Sequence, residues 1–259
     1  MTAPVAAATV PPTNPLNSPH QPITTRYQED REKHAYVRDL FNRGAPHYDR
    51  VAKVGFLGTG HFHRKRSLKL AGLKPGMEVI DVACGTGAVT RAILDILAGN
   101  GHVVGVDPSE GMITEARKHV PAEFKLGRAE QLPVPDAAFD FLSMGYALRH
   151  VEDLAVAFTE YRRVLKPGGR LLILEISKPA SRLGMAFSRL YFRNVLPWIS
   201  RIVTGSKDAS EMMAYYWETI DACVPPDVIL TALAESGFQD VKRRVELGIC
   251  SQYTAVRPG

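Results

Sequence analysis

Val79-Ile80-Asp81-Val82-Ala83-Cys84-Gly85-Thr86-Gly87 is a short apolar run that meets an acid and turns on closely spaced glycines; Val103-Val104-Gly105-Val106-Asp107 follows it one helix later. A strand, a glycine turn, a helix over about Ala88 to Leu97 and a second strand ending in an acid make the first crossover of a doubly wound sheet. There the glycines let backbone N–H groups approach a ligand, and Asp107 is placed to accept the two ribose hydroxyls of an adenosine. A dinucleotide turn takes a third glycine where Thr90 stands here, and Asp81 precedes the turn. A carboxylate at that mouth repels a pyrophosphate but suits a ligand carrying an ammonium group, such as the methionine end of S-adenosylmethionine. A purely structural β-to-α turn also uses glycines; Asp107 is what argues for a nucleoside.

Working outward, the pattern Tyr36, Val37, Leu40, Phe41 predicts an amphipathic helix from Tyr27 to Arg43, stopped by Gly44 and Pro46. A second helix is expected over about Gly60 to Ala71, with Arg64, Lys65, Arg66 and Lys69 solvated. Beyond Asp107, Ser109 caps a helix that carries Met112 inward and runs to His119. Strands follow near 123–126 and 139–144, then a helix over 153–165 closed by Lys166-Pro167-Gly168-Gly169, then an apolar strand over 170–176. Helices over 209–221 and 226–236 and strands around 240–246 and 251–256, turning at Gly248, finish the chain. The expected fold is α/β: a Rossmann-like, seven-stranded, mostly parallel doubly wound sheet with a terminal antiparallel strand and a helical cap. Its parts are a disordered Pro/Ala-rich tail (1–26), an N-terminal cap (27–72), a cofactor core (73–178), substrate-cap helices (181–222) and a C-terminal helix with strands (226–257).

Composition narrows the function. With 259 residues, 45% of them hydrophobic, the chain can bury one large core. The net charge of +5 is spread among interspersed acids and bases, a weak argument for nucleic acid, which is not expected as a partner. Cys84, Cys223 and Cys250 show neither C-x-x-C spacing nor metal-ligand rhythm, and reduced cytoplasmic thiols are the simplest reading. His61-Phe62-His63 lacks a third ligand nearby and is flanked by Arg64-Lys65-Arg66, so no metal is expected. The proline-rich start does not read as a signal peptide, and no apolar stretch is long enough to span a bilayer. Segment 181–205 mixes Phe187, Leu190, Trp198 and Ile202 with Arg182, Arg189, Arg193 and Arg201, and Pro197 should kink it. It reads as packed core, as a cap over an apolar substrate, or as a face on a membrane interface.

The spacing D-x-A-x-G-x-G resembles the first motif of class I methyltransferases, with Ala83 at a usual glycine. Further motifs, Tyr48-Asp49, Ala129-Glu130-x-Leu132-Pro133-Val-Pro-Asp136-x-x-Phe139-Asp140, Tyr146-Ala-Leu-Arg149, Tyr161-Arg-Arg-Val-Leu-Lys-Pro-Gly-Gly-Arg-Leu-Leu-Ile-Leu-Glu175 and Ser177-Lys178-Pro179, extend the likeness over roughly 40–238. Together they resemble the ubiquinone/menaquinone biosynthesis C-methyltransferases of the UbiE type. The resemblance implies S-adenosylmethionine held through Asp81, Ala83, Gly85, Thr86, Gly87, Asp107, Pro108, Met112, Arg128, Ala129, Glu130 and Gly145. It implies an apolar, electron-rich aromatic acceptor of the quinol-precursor type. Arg128 stands where that family usually has a small acid or amide, Gly145 replaces a frequent serine, and His150 replaces an asparagine. The cofactor half looks kept and the acceptor pocket altered.

Methyl transfer from a sulfonium asks the protein to position two reactants and exclude water. A ring carbon ortho to a phenolic oxygen becomes nucleophilic on ionisation, which a nearby cation favours. Arg149, at the end of a strand where such sheets present ligands, is the expected stabiliser of that oxygen. Tyr48 shapes the sulfonium environment, and His150, like His47, is a candidate proton acceptor. Tyr146 and the run Tyr215-Tyr216-Trp217 are the expected substrate contacts, the run by stacking on the acceptor ring, with core packing as the competing explanation. Two other functions stay open: a secondary-metabolite O-, N- or C-methyltransferase of the same fold, and a cofactor-binding scaffold without activity. A homodimer and peripheral contact with the inner membrane face complete the expectations.

Overall fold

The computed structural model describes residues 18–28, 30–55 and 58–259. Its centre is a sheet in the order β3-β2-β1-β4-β5-β7-β6. The strands are β1 (Glu78–Val82), β2 (His102–Asp107), β3 (Glu123–Leu126), β4 (Phe139–Gly145), β5 (Leu165–Ile176), β6 (Gln239–Glu246) and β7 (Cys250–Val256). All pairings from β3 across to β5 are parallel, and β7 runs antiparallel to both β5 and β6. Parallel strands covered on both faces need continuous apolar runs, and from Val79 to Val82 every residue of β1 is buried. After β3 the chain returns to the other side of β1, so β1 and β4 flank the point where strand order reverses. In such sheets ligands bind there, outside the carboxyl ends of the strands.

One face is covered by α5 (Leu154–Val164) and α9 (Pro226–Glu235), the other by α2 (Gly60–Leu70) and α3 (Ala88–Leu97). A third apolar cluster lies above the strand ends, built from α1 (Asp30–Gly55), α7 (Leu196–Thr204) and α8 (Lys207–Ala222). It is the cap. The helix α4 (Glu110–His119) starts just after β2, its N-terminus capped by the Ser109 hydroxyl, which accepts from the Met112 N–H at 3.1 Å.

Three expectations need correction. The first helix does not stop at Gly44 and Pro46; α1 continues through both to Gly55. An interior proline costs about 3 kcal/mol, but packing opposes the break. A Cβ at Gly44 would lie 2.6 Å from the Met212 sulfur of α8, so glycine here admits a neighbouring helix. The expected tail is not free throughout. Residues 1–17 lie outside the described residues, while Ser18 and His20 are buried, the Pro19 carbonyl accepts from the Val224 N–H at 2.8 Å, and Arg26 pairs with Glu218 at 2.9 Å. Finally, the bend in 181–205 is a π turn at Tyr191–Val195 between α6 (Arg182–Leu190) and α7. Pro197 follows it near the start of α7, where its missing N–H matters little.

Candidate active site

The glycine turn is held from beneath. Cys84 N–H reaches the Val106 carbonyl at 3.1 Å, and Gly87 N–H the Cys84 carbonyl at 2.9 Å. Ala83, Gly85 and Gly87 all have positive φ, at 52°, 56° and 81°. The alanine pays steric strain that the glycines avoid. Asp107 fixes the outer edge: its Oδ2 accepts from Gly85 N–H and its Oδ1 from Ser109 N–H, each at 2.8 Å. Burial raises Asp107 to about 6 while these two N–H groups pull it back down. The cap helix is latched to the same loop, since Thr86 Oγ1 donates to Asp49 at 2.5 Å and Asn42 Oδ1 accepts from Ser109 Oγ at 2.7 Å and Gly111 N–H at 3.0 Å.

Above this loop lies a cavity of about 800 Å³. Ala83, Gly85, Thr86, Asp107, Pro108, Met112 and Gly145 line it, as do Tyr48, Arg149 and His150. A Cβ at Gly85 would meet nothing within 4 Å, so the loop backbone is open to a ligand on that side. Gly145 is small for a different reason: a Cβ there would fall 2.5 Å from Val89. An adjoining cavity of about 470 Å³ is lined by Arg128, Ala129 and Glu130 and shares Ala83, Pro108 and His150 with the first. An ionised carboxylate beside exposed loop amides, with an apolar wall at Met112 and Pro108, fits the adenosine of S-adenosylmethionine.

Two of the expected cofactor contacts stand elsewhere. Asp81 is wholly buried behind the turn, accepting from Thr90 Oγ1 at 2.6 Å and Ser143 Oγ at 2.7 Å, and lines neither cavity. Burial raises it to about 6 against those hydrogen bonds, and its position ties the loop to α3 and β4 rather than facing an ammonium group. Gly87 serves the backbone turn into α3, where a Cβ would meet Val120 at 2.9 Å. Arg128 reaches sideways to Glu152 at 2.5 Å and Glu130 at 3.5 Å.

A second cavity, of about 860 Å³, is mostly apolar, with walls from Val51, Ala52, Ile176, Leu196, Met213 and Ile249. Tyr48, Arg64, Tyr146 and Tyr216 line both it and the cavity over the glycine loop. Of the aromatic run only Tyr216 reaches these cavities. Tyr215 is buried against Tyr36 and His150, and Trp217 stacks on Phe192, so both belong to cap packing. Helical geometry explains this, because adjacent residues of α8 point about 100° apart.

Arg149 has no solvent exposure; it pairs with Glu175, donates from Nε to Thr219 Oγ1 at 2.9 Å, and stacks its guanidinium 4.1 Å from the Tyr216 ring centroid. Its Nη2 and Glu175 Oε2 are buried without a hydrogen-bond partner. His150 lies between Phe41 and Tyr215 with both ring nitrogens unpartnered, and burial, then Arg149 and Lys33, hold it well below the usual imidazole range. It is neutral near pH 7. Burial also raises the Tyr48, Tyr146 and Tyr216 phenols, which stay protonated.

Sequence reasoning missed Arg64, expected among solvated cations. Its guanidinium lies over the Tyr146 ring at 5.5 Å from the centroid. The only local hint was Gly60, where a Cβ would lie 2.6 Å from Arg64 Nη1. The roles of Glu175 and Thr219 around Arg149 likewise had no local signal, since they join distant segments. His61 and His63 pair with Asp95 at 3.0 Å and Glu246 at 3.3 Å, and among the described residues no group of acids, histidines and cysteines is arranged to hold a metal.

Known proteins resemble this chain over most of its length. The model of the ubiE/COQ5 methyltransferase family matches residues 28–257. A demethylmenaquinone methyltransferase of Symbiobacterium thermophilum is 36% identical over 216 residues, covering 80% of this chain and 86% of that protein. A ubiquinone/menaquinone biosynthesis C-methyltransferase UbiE of Shewanella is 31% identical over 220 residues, covering 82% and 86%. Among solved structures, a SAM-dependent methyltransferase of Thermotoga maritima, described as a possible histamine N-methyltransferase, superposes with a TM-score of 0.61 at 20% identity over 85% of this chain and 99% of that one. A phosphoethanolamine N-methyltransferase of Haemonchus contortus in complex with S-adenosyl-L-methionine gives 0.56 at 17% identity, covering 76% and 52%. These structures establish the fold.

Proposed function

The chain belongs to the ubiE/COQ5 methyltransferase family and is an S-adenosylmethionine-dependent methyltransferase; we propose that its acceptor is a ring carbon of an apolar hydroxyarene, a quinol precursor. The observation that carries this reading is the shared wall. A cavity over the glycine loop and a separate apolar cavity meet at Tyr48, Arg64, Tyr146 and Tyr216, so a donor and an apolar acceptor can be brought together with water displaced. When bound, S-adenosylmethionine supplies an electrophilic methyl group on sulfur.

The residues of this chain do the positioning. Asp107, Gly85 and the Met112–Pro108 wall hold the nucleoside end, with Ala129 and Glu130 beside the base. Val51, Ile176, Leu196 and Met213 hold the apolar part of the acceptor. Tyr216, fixed by stacking on Arg149, presents a flat face to the acceptor ring. The free N–H of Arg149 Nη2 is the donor that aligns the acceptor oxygen. Held in this way, an acceptor ring carbon would be placed to take the methyl group that bound S-adenosylmethionine would supply. The ring then sheds its proton to regain aromaticity. His150, neutral and unpartnered, is a hydrogen-bond acceptor beside this path and, because its pKa is depressed, a weak base.

The described residues include no helix long and apolar enough to cross a membrane. We propose instead that α6, the π turn and α7 rest on an anionic lipid surface. Leu183, Phe187, Leu190, Trp198 and Ile202 are exposed, with Arg182, Arg189, Arg193 and Arg201 exposed on the same segment. Sedimentation with phosphatidylglycerol vesicles should exceed that with phosphatidylcholine vesicles, and Phe187→Ser with Trp198→Ser should abolish it; equal binding to both vesicle types removes the proposal. For the acceptor, labelled S-adenosylmethionine is incubated with a panel of demethylated quinols and unrelated phenols, and products are identified by mass spectrometry. Methylation of a quinol ring carbon is expected. Turnover only of other phenols, or only at oxygen or nitrogen, would exclude it.

A further inference from the structure

Two arginines line the cavity over the glycine loop, Arg149 there alone and Arg64 also on the wall shared with the apolar cavity, and they differ in net charge. Arg149 is matched by Glu175, so from the cavity the pair is close to neutral. Arg64 has no such match: among the described residues no carboxylate stands within ion-pair distance of it. Its neighbours on α2 are paired outward, Lys65 to Asp95 at 3.5 Å and Arg66 to Glu246 at 3.0 Å, while His63 meets Glu246 at 3.3 Å. Only Arg64 of this run turns inward to line both cavities; its Nε is buried without a hydrogen-bond partner and its guanidinium covers the Tyr146 face. Gly60, one turn earlier on α2, leaves the space into which Nη1 bends.

An inward guanidinium, half-buried and facing an apolar cavity, needs an anionic counterpart there to recover the hydration it has lost. Around it stand Tyr48 from α1, Tyr216 from α8, Tyr146 after β4, Arg149, and Cys250 at the start of β7. None of these supplies a negative charge near neutral pH: burial raises the Tyr48, Tyr146 and Tyr216 phenols and the Cys250 thiol, and Arg149 is a cation. Burial lowers His63, which also lines the second cavity, and Asp107, the carboxylate of the first cavity, has its oxygens on Gly85 N–H and Ser109 N–H. Asp81 is buried in the interior strand β1, lines neither cavity, and is already bonded to Thr90 and Ser143.

We infer that Arg64 forms an oxyanion subsite at the junction of the two cavities, where it binds the ionised ring oxygen of the acceptor and so sets the acceptor's ionisation. This rests on the hydroxyarene reading above. Arg149 then orients the oxygen through one N–H, and Arg64 provides the uncompensated charge. A buried cation close to a phenol shifts its ionisation by about one pKa unit or more, about tenfold.

The test is an optical titration of a nitronaphthol, whose ionised form absorbs in the visible, bound to the full chain saturated with S-adenosylhomocysteine. In the wild-type protein and in Arg64→Lys the bound probe should ionise at least about tenfold more readily than free probe. In Arg64→Met, with its fold checked by circular dichroism, that gain should vanish. The acid limb of kcat against pH should move up by the same amount, with KM changing less than kcat. A bound probe that ionises alike in wild-type and Arg64→Met, or no easier than when free, overturns the subsite while leaving the hydroxyarene class intact. Failure of the wild-type protein to bind any hydroxyarene in the panel overturns the class and the subsite together.

Discussion

The cofactor cradle and the proposed acceptor cavity are built on different principles. The cradle is backbone: glycines and one alanine at positive φ, N–H groups gathered by Asp107, and a helix cap at Ser109, all within residues 81–112. The acceptor cavity is made of side chains from α1, α2, α7, α8, β5 and the β6–β7 turn, brought together only by the fold. A backbone device tolerates few sequences and keeps its geometry. A side-chain cavity changes its ligand by changing residues, and its stability rests on whatever polar groups are buried to shape it.

That contrast predicts that the largest loss of stability lies under the acceptor, not in the cradle. Glu175→Gln leaves Arg149 buried without its counter-charge, and breaking such a pair costs about 3–5 kcal/mol. Denaturant unfolding should show it; a loss below about 1 kcal/mol would mean Arg149 finds water or another partner, and the cavity would be softer than its packing implies. The next effect belongs to the cradle. Asp107→Ala removes the group that holds Gly85 and Ser109, and should weaken S-adenosylhomocysteine binding about 100-fold by calorimetry with little change in acceptor binding.

The same carboxylate gives the cradle a pH signature. Asp107 sits near 6 in the folded chain against 3.8 as its ordinary value, so the folded state holds its proton more tightly than the unfolded state. Its contribution to stability is therefore present below about 4 and is lost as pH rises through 6, on the order of 2–3 kcal/mol. Asp81 behaves in the same way. Asp107→Asn should flatten about half of that slope in the apo protein, whereas S-adenosylhomocysteine affinity in the wild type should rise from pH 5 to 7 as Asp107 becomes a full acceptor. An affinity that falls over this range would mean the ligand does not use the ionised carboxylate.

How much of each region is legible in the sequence follows from this difference. Strand, turn, helix and terminal acid are contiguous, so the cradle, the mostly parallel doubly wound sheet and the cap at Ser109 can be read from spacing. Asp81 misleads because sequence places it at the mouth but cannot say that Thr90 and Ser143 take its oxygens. The acceptor side is harder. Arg64 is one of several cations on a helix, and only the outward acids Asp95 and Glu246 make it the one that turns in. Tyr215 and Trp217 flank Tyr216, and which of the run faces the cavity depends on the rotation of α8, set by packing on α1 and the π turn. Pro46 failed as a stop signal because a helix packed on two others can absorb a lost hydrogen bond that an isolated one cannot.

A smaller effect tests the alanine in the cradle. Ala83 at φ 52° carries the steric cost of the left-handed region, about 1–2 kcal/mol, which Ala83→Gly relieves while adding about 0.5–1 kcal/mol of unfolded-state entropy. A net gain of less than about 1 kcal/mol is expected in thermal unfolding, with cofactor affinity held. A clear loss would mean the methyl group, which lines the cavity floor, contributes packing that the backbone strain conceals.

The smallest effect is expected at Arg128, and it is the sharpest test of the border between the two regions. The residue follows β3, beside the cavity adjoining the cofactor site, yet its guanidinium is directed to Glu152 and Glu130 and is about a quarter exposed. An ion pair of that exposure contributes about 0–1 kcal/mol. If the base is held by Ala129, Glu130 and the Met112 wall, Arg128→Ala should change S-adenosylhomocysteine affinity less than about threefold and should leave acceptor selectivity untouched. The freed Glu130 and Glu152 would repel an anion and tolerate an adenine amino group, so a slight tightening is as consistent as a slight loss. A tenfold loss would instead place the guanidinium on the base, and the cradle would then depend, like the acceptor cavity, on a side chain brought in from the side.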